Sequence, residues 1–155
     1  MAFTADYEVL IDRLDDELRL AARPAADLYA KIIGSICTRI PLLGKSGKAD
    51  PIARMIEAGA WADAALAVVD LELPAWKVRR LVYESGEWLC SLSRQPNLPF
   101  ELDDVADGRH ERLPLAILRA FLEARHRTET AEPKSSGVPR LRPDLAAMIC
   151  CDNFA

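Results

Sequence analysis

The chain has 155 residues, about half of them apolar, with 20 Lys/Arg against 24 Asp/Glu, a formal net charge of -4, two histidines and four cysteines. That length and composition suffice to close one hydrophobic core, while interspersed charges of both signs exclude a basic arm for polyanions. The opening MAFTADYEVL has neither the basic start nor the continuous apolar run of a signal peptide, and Lys31, Arg39 and Pro41 break the greasiest stretch, Tyr29 to Leu43. Neither export nor a membrane span is therefore expected.

The first element is predicted from periodicity. Tyr7, Leu10, Ile11, Leu14, Leu18 and Ala21 fall on one helical stripe, with Asp12, Asp15, Asp16 and Arg19 mostly opposite. Thr4 is a suitable cap, and Asp6 and Glu8 then sit where the helix dipole favours negative charge. Pro24 interrupts the pattern. A second helix is expected from about Ala25 to Thr38, with Leu28, Ile32, Ile33 and Ile36 along one side, so that residues 1–40 form a helical hairpin.

Pro41 to Asp50 reads as turn chemistry. Gly44-Lys45-Ser46 invites comparison with a phosphate-binding loop, but Arg39 stands where the first glycine of that loop belongs, and a helix rather than a strand precedes it. Asp50-Pro51 is a helix start and Gly59 its end. From Trp61 to Leu73 the alternation of Val69, Leu71 and Leu73 suits a strand, whereas the alanines before it and the spacing of Trp61, Ala64, Ala65, Val68 and Leu71 suit a helix; helix is the reading adopted, stopped by Pro74.

A hairpin follows. Trp76 to Tyr83 and Glu87 to Ser93 are rich in aromatic, β-branched and large apolar residues, and Glu84-Ser85-Gly86 supplies the turn. Trp88, Cys90 and Leu92 share one face. Arg79-Arg80 breaks the phase of the first strand, which a bulge at that point would restore. After Pro96 and Pro99, Glu101 to Glu111 reads as an acid-rich loop without a visible strand pattern. The last helix is expected from Leu113-Pro114 to about Arg127, with Ile117, Leu118, Phe121 and Leu122 buried and Arg125, His126 and Arg127 at its carbonyl end. Residues 50–127 then make an α-β-β-(β)-α layered domain, and residues 128–155 a solvated linker with an apolar tail, LAAMICCDNFA, able to dock.

The order Trp61-Ala-Asp-Ala-Ala-Leu, Trp76-Lys-Val, Gly86-Glu-Trp88 and Leu113-Pro-Leu-Ala-Ile-Leu-Arg-Ala120 resembles small phage-associated ABA-sandwich domains over residues 60–127. The resemblance implies a helix, a short antiparallel sheet and a closing helix packed in layers, and no activity. The expected fold class is α+β, a helical hairpin attached to a helix/antiparallel-sheet/helix domain.

No catalytic, cofactor-binding or metal-ligating set emerges. Asp103, Asp104 and Asp107-Gly108 hint at a calcium loop, but Val105 and Pro114 occupy positions that need oxygen ligands. His110-Glu111 reads as a solvent-facing pair, and no nucleophile motif is present. Cys37 and Cys90 read as small core residues, and the adjacent Cys150 and Cys151 as bystanders in the tail, in keeping with a reducing cytoplasm. The Ala- and Arg-rich usage suggests a high-GC bacterium. The expected role is a non-enzymatic protein-interaction or oligomerising module without cofactor, dimerising through Tyr7, Leu10, Leu14, Leu18, Ile32, Ile33 and Ile36. The alternative is nucleic-acid binding by a basic strip, Trp76, Lys77, Arg79, Arg80 and Arg94, opposed by Glu72, Glu84 and Glu87 beside it.

Overall fold

A computed structural model describes residues 2–44 and 50–131. The fold is α+β, with helices α1 (Ala2–Leu20), α2 (Ala26–Ile36), α3 (Arg39–Gly44), α4 (Asp50–Glu57), α5 (Trp61–Glu72) and α6 (Leu113–Ala131), and strands β1 (Lys77–Glu84), β2 (Glu87–Ser93) and β3 (Val105–His110). The apolar tail, Cys150, Cys151 and the Lys45-Ser46 pair lie outside the described residues.

Local chemistry explains most boundaries. Because Ala2 and Phe3 carry nothing that breaks a helix, α1 begins upstream of Thr4, which therefore lies within the first turn instead of capping it; Asp6 and Glu8 fall beyond that turn. Gly59 ends α4 as expected. Its φ of 73° lets the Gly59 amide bond Ile56 O at 3.1 Å and the Ala60 amide bond Met55 O at 2.8 Å, a paired C-terminal closure. Trp61 to Glu72 is a helix and not a strand. α3 runs through residues 41–44, where turn was expected, and the reason lies far away in sequence. Glu72, 3% exposed at the end of α5, accepts hydrogen bonds from the Thr38 amide at 3.2 Å and the Ile40 amide at 2.5 Å, supplying the cap that α3 lacks locally.

The three strands form an antiparallel sheet in the order β1-β2-β3. Ser85 and Gly86 both have positive φ, 55° and 86°, the two-residue turn that matches the twist of a tight hairpin. The register between β1 and β2 shifts between Val78 and Arg80, so the bulge sits where the sequence broke phase. β3 occupies most of the stretch expected as loop. Its polar residues, Asp107 and Arg109, face outward, while Ala106, Gly108 and His110 point inward, an alternation hidden by the small size of the inward residues.

Helix α6 packs over β3 and β2, and α1 and α5 pack against α6. The layers therefore run sheet, α6, then α1 with α5, and α6 is buried nearly all round, from Leu115 through Leu118 and again at Ala120, Phe121, Leu122, Ala124 and Arg125. Among the described residues one core cluster reaches from Ile11 to Ala124, so the N-terminal helices share a core with the sheet domain. Two arginines clamp α1 in place. Arg119 donates Nε and one terminal nitrogen to the two Asp15 oxygens at 2.7 and 2.9 Å and the other to the Arg109 carbonyl at 2.6 Å; Arg125 donates to the Tyr7 hydroxyl at 3.2 Å and the Ile36 carbonyl at 3.0 Å.

Candidate interaction surfaces

The basic strip does not assemble. Trp76 is 1% exposed, its indole N–H donates to Thr128 Oγ1 at 3.2 Å, and the Arg94 guanidinium lies 4.9 Å from its ring centre, so it offers no face for a base. Arg79 turns inward at the bulge, where it donates to Asp103 and to the Leu98 carbonyl and stacks 4.1 Å from the centre of the Phe100 ring. Arg80 pairs with Glu84 at 3.1 Å and Lys77 lies 3.8 Å from Asp70, both in solvent. Of the five residues only Lys77, Arg80 and Arg94 remain exposed, and each has a neighbour that competes for it. Glu72, expected to flank the strip, is instead the buried cap of α3.

Arg79 and Asp103 anchor the loop that covers the Ser93 end of the sheet. The Ser93 hydroxyl donates to Asp103 at 2.6 Å and, with Arg79, holds the Asp103 carboxyl below its ordinary value despite the opposing effect of desolvation. A depressed carboxyl contributes stability that is present above its ordinary pKa of about 3.9 and is lost as pH falls through the lower folded value. We therefore expect residues 95–104 to loosen in acid below about pH 4, seen as faster amide exchange there than in α6, and Asp103→Asn to flatten that pH dependence. Equal acid sensitivity of wild type and variant would contradict the assignment.

The apolar stripe expected as a dimer interface lies largely inside the chain. Leu14, Leu18, Ile32 and Ile36 are 5% exposed or less, and Tyr7, Leu10 and Ile33 are half-buried against the same core. The correction has a physical cause: α1 rests on α6, a helix apolar on nearly every side, so the stripe is covered without a second chain. Burial raises the pKa of the Tyr7 hydroxyl, partly offset by Arg125. Arg125 is consequently a tie between α1, α2 and α6 rather than a charge at a helix end, and α6 continues past Arg127 to Ala131. His110, read as solvent-facing, is 8% exposed, and its Nδ1 accepts the Arg112 amide at 2.8 Å.

Two of the concavities among the described residues lie beside these contacts. One, of about 430 Å³, lies between the ends of α1, α2 and α6, with Arg125, Tyr7, His126, Glu8 and Glu129 around it. The other, of about 410 Å³, runs between α2 and α4 over Ile33, Ile40, Ile52 and Ile56. Among the described residues no group of three or more His, Cys, Asp or Glu is placed to hold a metal ion, and no helix is long and apolar enough to cross a membrane. Cys37 and Cys90 are buried free thiols, and desolvation, chiefly, pushes each up to about 12, far from the range of a nucleophile.

The outer edge of β1 is different. Pairing with β2 places Leu81 opposite Cys90 and Tyr83 opposite Trp88, on the same sheet face as α6, yet α6 packs mainly over β3 and β2. Leu81 is left 39% exposed and Tyr83 56%, with the Tyr83 ring 5.3 Å from that of the half-buried Trp88. Among the described residues β1 has a neighbour on one side only, and no backbone group bonds its outward edge. The sequence places these residues in the right strand, but nothing in a hairpin's pattern says how far a later helix will reach. No protein-family model matches this chain, and no curated protein or solved structure is similar to it, so the likeness to ABA-sandwich domains rests on the residues quoted for it alone.

Proposed function

We propose that the protein is a non-enzymatic interaction module, acting in the cytoplasm, whose docking surface is the β1 edge of its sheet. The observation that carries this reading is the unpaired edge strand bordered by Leu81 and Tyr83. Open strand edges are templates for another extended chain, and proteins that do not use them normally bury, charge or distort them. Here the bulge at Arg79 distorts only the first part of the strand, and Arg80 to Glu84 stays regular. A partner strand laid on this edge gains main-chain hydrogen bonds and covers two exposed apolar side chains, one of which, Tyr83, already lies against the Trp88 ring. The two buried free cysteines suit a reducing compartment.

A labelled peptide copying Lys77 to Ser85 is the direct probe. Fluorescence anisotropy against the full chain should give saturable binding in the micromolar to submillimolar range, and the same peptide carrying Leu81→Pro should not bind. No binding of the unmodified peptide at about 1 mM protein would overturn the reading.

A further inference from the structure

Resting on that reading, we infer that the occupant of the β1 edge is β1 of a second copy of this chain, antiparallel across a two-fold axis at Val82. The regular part of the strand is self-complementary in that register and in few others. With Val82 opposite its own counterpart, Leu81 of one copy faces Tyr83 of the other, and Arg80 faces Glu84. Leu81 and Tyr83 lie on the α6 side of the sheet in both copies, since both pair with residues of β2 that point that way; Arg80, Val82 and Glu84 lie on the opposite side in both. Every opposed pair therefore matches in face and in character. Sliding the register by one residue would set Arg80 against Tyr83 or Ser85 and split the apolar pair between faces.

Charge complementarity is the second argument. Within one chain Arg80 and Glu84 form an exposed pair at 3.1 Å, their side chains 44% and 51% accessible. Brought together, two such strands place the opposite charges of each copy directly across from one another, twice by symmetry, so the edge attracts its own image instead of repelling it. Backbone parity agrees. Alternation from the Glu84/Glu87 pair that closes the hairpin turns the main-chain groups of Leu81 and Tyr83 away from β2, toward the partner residues with which they would exchange bonds. The product is a continuous six-stranded sheet with both α6 helices on one face.

Light scattering and sedimentation equilibrium of the full chain decide the matter. Wild type should be a dimer, and Glu84→Arg, which sets like charges opposite one another at both ends of the contact, should raise the dissociation constant about tenfold or more. The double reversal Arg80→Glu with Glu84→Arg should restore it to within about threefold of wild type, which a mere loss of folding would not allow. Circular dichroism should be unchanged in all three. Dissociation that is the same in Glu84→Arg as in wild type, or not restored by the double reversal, overturns the register. A wild-type chain that stays monomeric at about 0.5 mM while still taking up the β1 peptide overturns the second copy as occupant and leaves strand addition standing; a chain that does neither overturns both.

Discussion

Replacing Gly108 with Ala should destabilise the protein by at least about 3 kcal/mol, and Gly108→Val should prevent folding. Gly108 sits in β3 beneath α6, and a Cβ built there would fall 2.9 Å from the Arg119 carbonyl carbon and closer still to the Ala120 amide nitrogen and the Ala116 carbonyl oxygen. These are backbone atoms. No rotamer can relieve the overlap, so either the helix lifts from the sheet or β3 detaches. Lifting α6 would reopen contacts along Ala106, Ala116 and Ala120, all fully buried small residues that let helix and sheet approach closely. Urea denaturation measures the loss directly. A penalty under about 1 kcal/mol would mean that α6 does not lie on β3 as described.

Phe121→Ala should cost about 3 to 5 kcal/mol, with a reduced unfolding midpoint and an unchanged denaturant slope. Phe121 has no accessible surface and sits on α6, a helix touched by the sheet and by α1 and α5. Truncation leaves a cavity beside a helix packed on several sides, and α6 cannot move into it without leaving another neighbour. Collapse is therefore limited, which favours the upper part of the range. Phe121→Leu, which keeps most of the volume, should recover more than half of the loss; equal loss in both variants would point to a requirement for the ring itself.

Much of the backbone plan was legible before the structure. Pro24, Asp50-Pro51, Gly59 and Pro74 mark real boundaries, and the phase break at Arg79-Arg80 marks a real bulge, because each is local stereochemistry written in one or two residues. β3 was not legible. Its inward positions are Ala106, Gly108 and His110, so the usual large apolar signal of a buried face is replaced by small size, and Asp107-Gly108 reads more readily as a turn. Glu72, Arg79 and Arg125 were misplaced for another reason. A charged side chain is buried only when partners elsewhere in the chain satisfy it, and those partners, Ile40, Asp103 and Ile36, stand 32, 24 and 89 residues away.

The candidate interface shows the same limit from the opposite direction. The α1 stripe looked surplus because only Ile117, Leu118, Phe121 and Leu122 had been assigned as the buried face of α6. The run Leu115-Ala116-Ile117-Leu118 followed by Ala120-Phe121-Leu122 is apolar around the whole circumference, and that signal predicts a helix with neighbours on all sides. Given such a helix, α1 has somewhere to go. Leu81 and Tyr83, by contrast, gain no cover from it.

The position of α6 at the centre of the layers also has a bearing on how the chain is made. The sheet, α1 and α5 all meet at the last element described, so during synthesis the faces of α1 and α5 that pack on α6 stay open until residues 113–125 have left the ribosome. The tight β1–β2 hairpin is a local structure and can form early, but nothing earlier in the chain offers it a helix to lean on. A nascent chain of this design gains little from folding piece by piece; its native state arrives late and cooperatively, and the interval before that is when its helices are most exposed to chaperones and to one another.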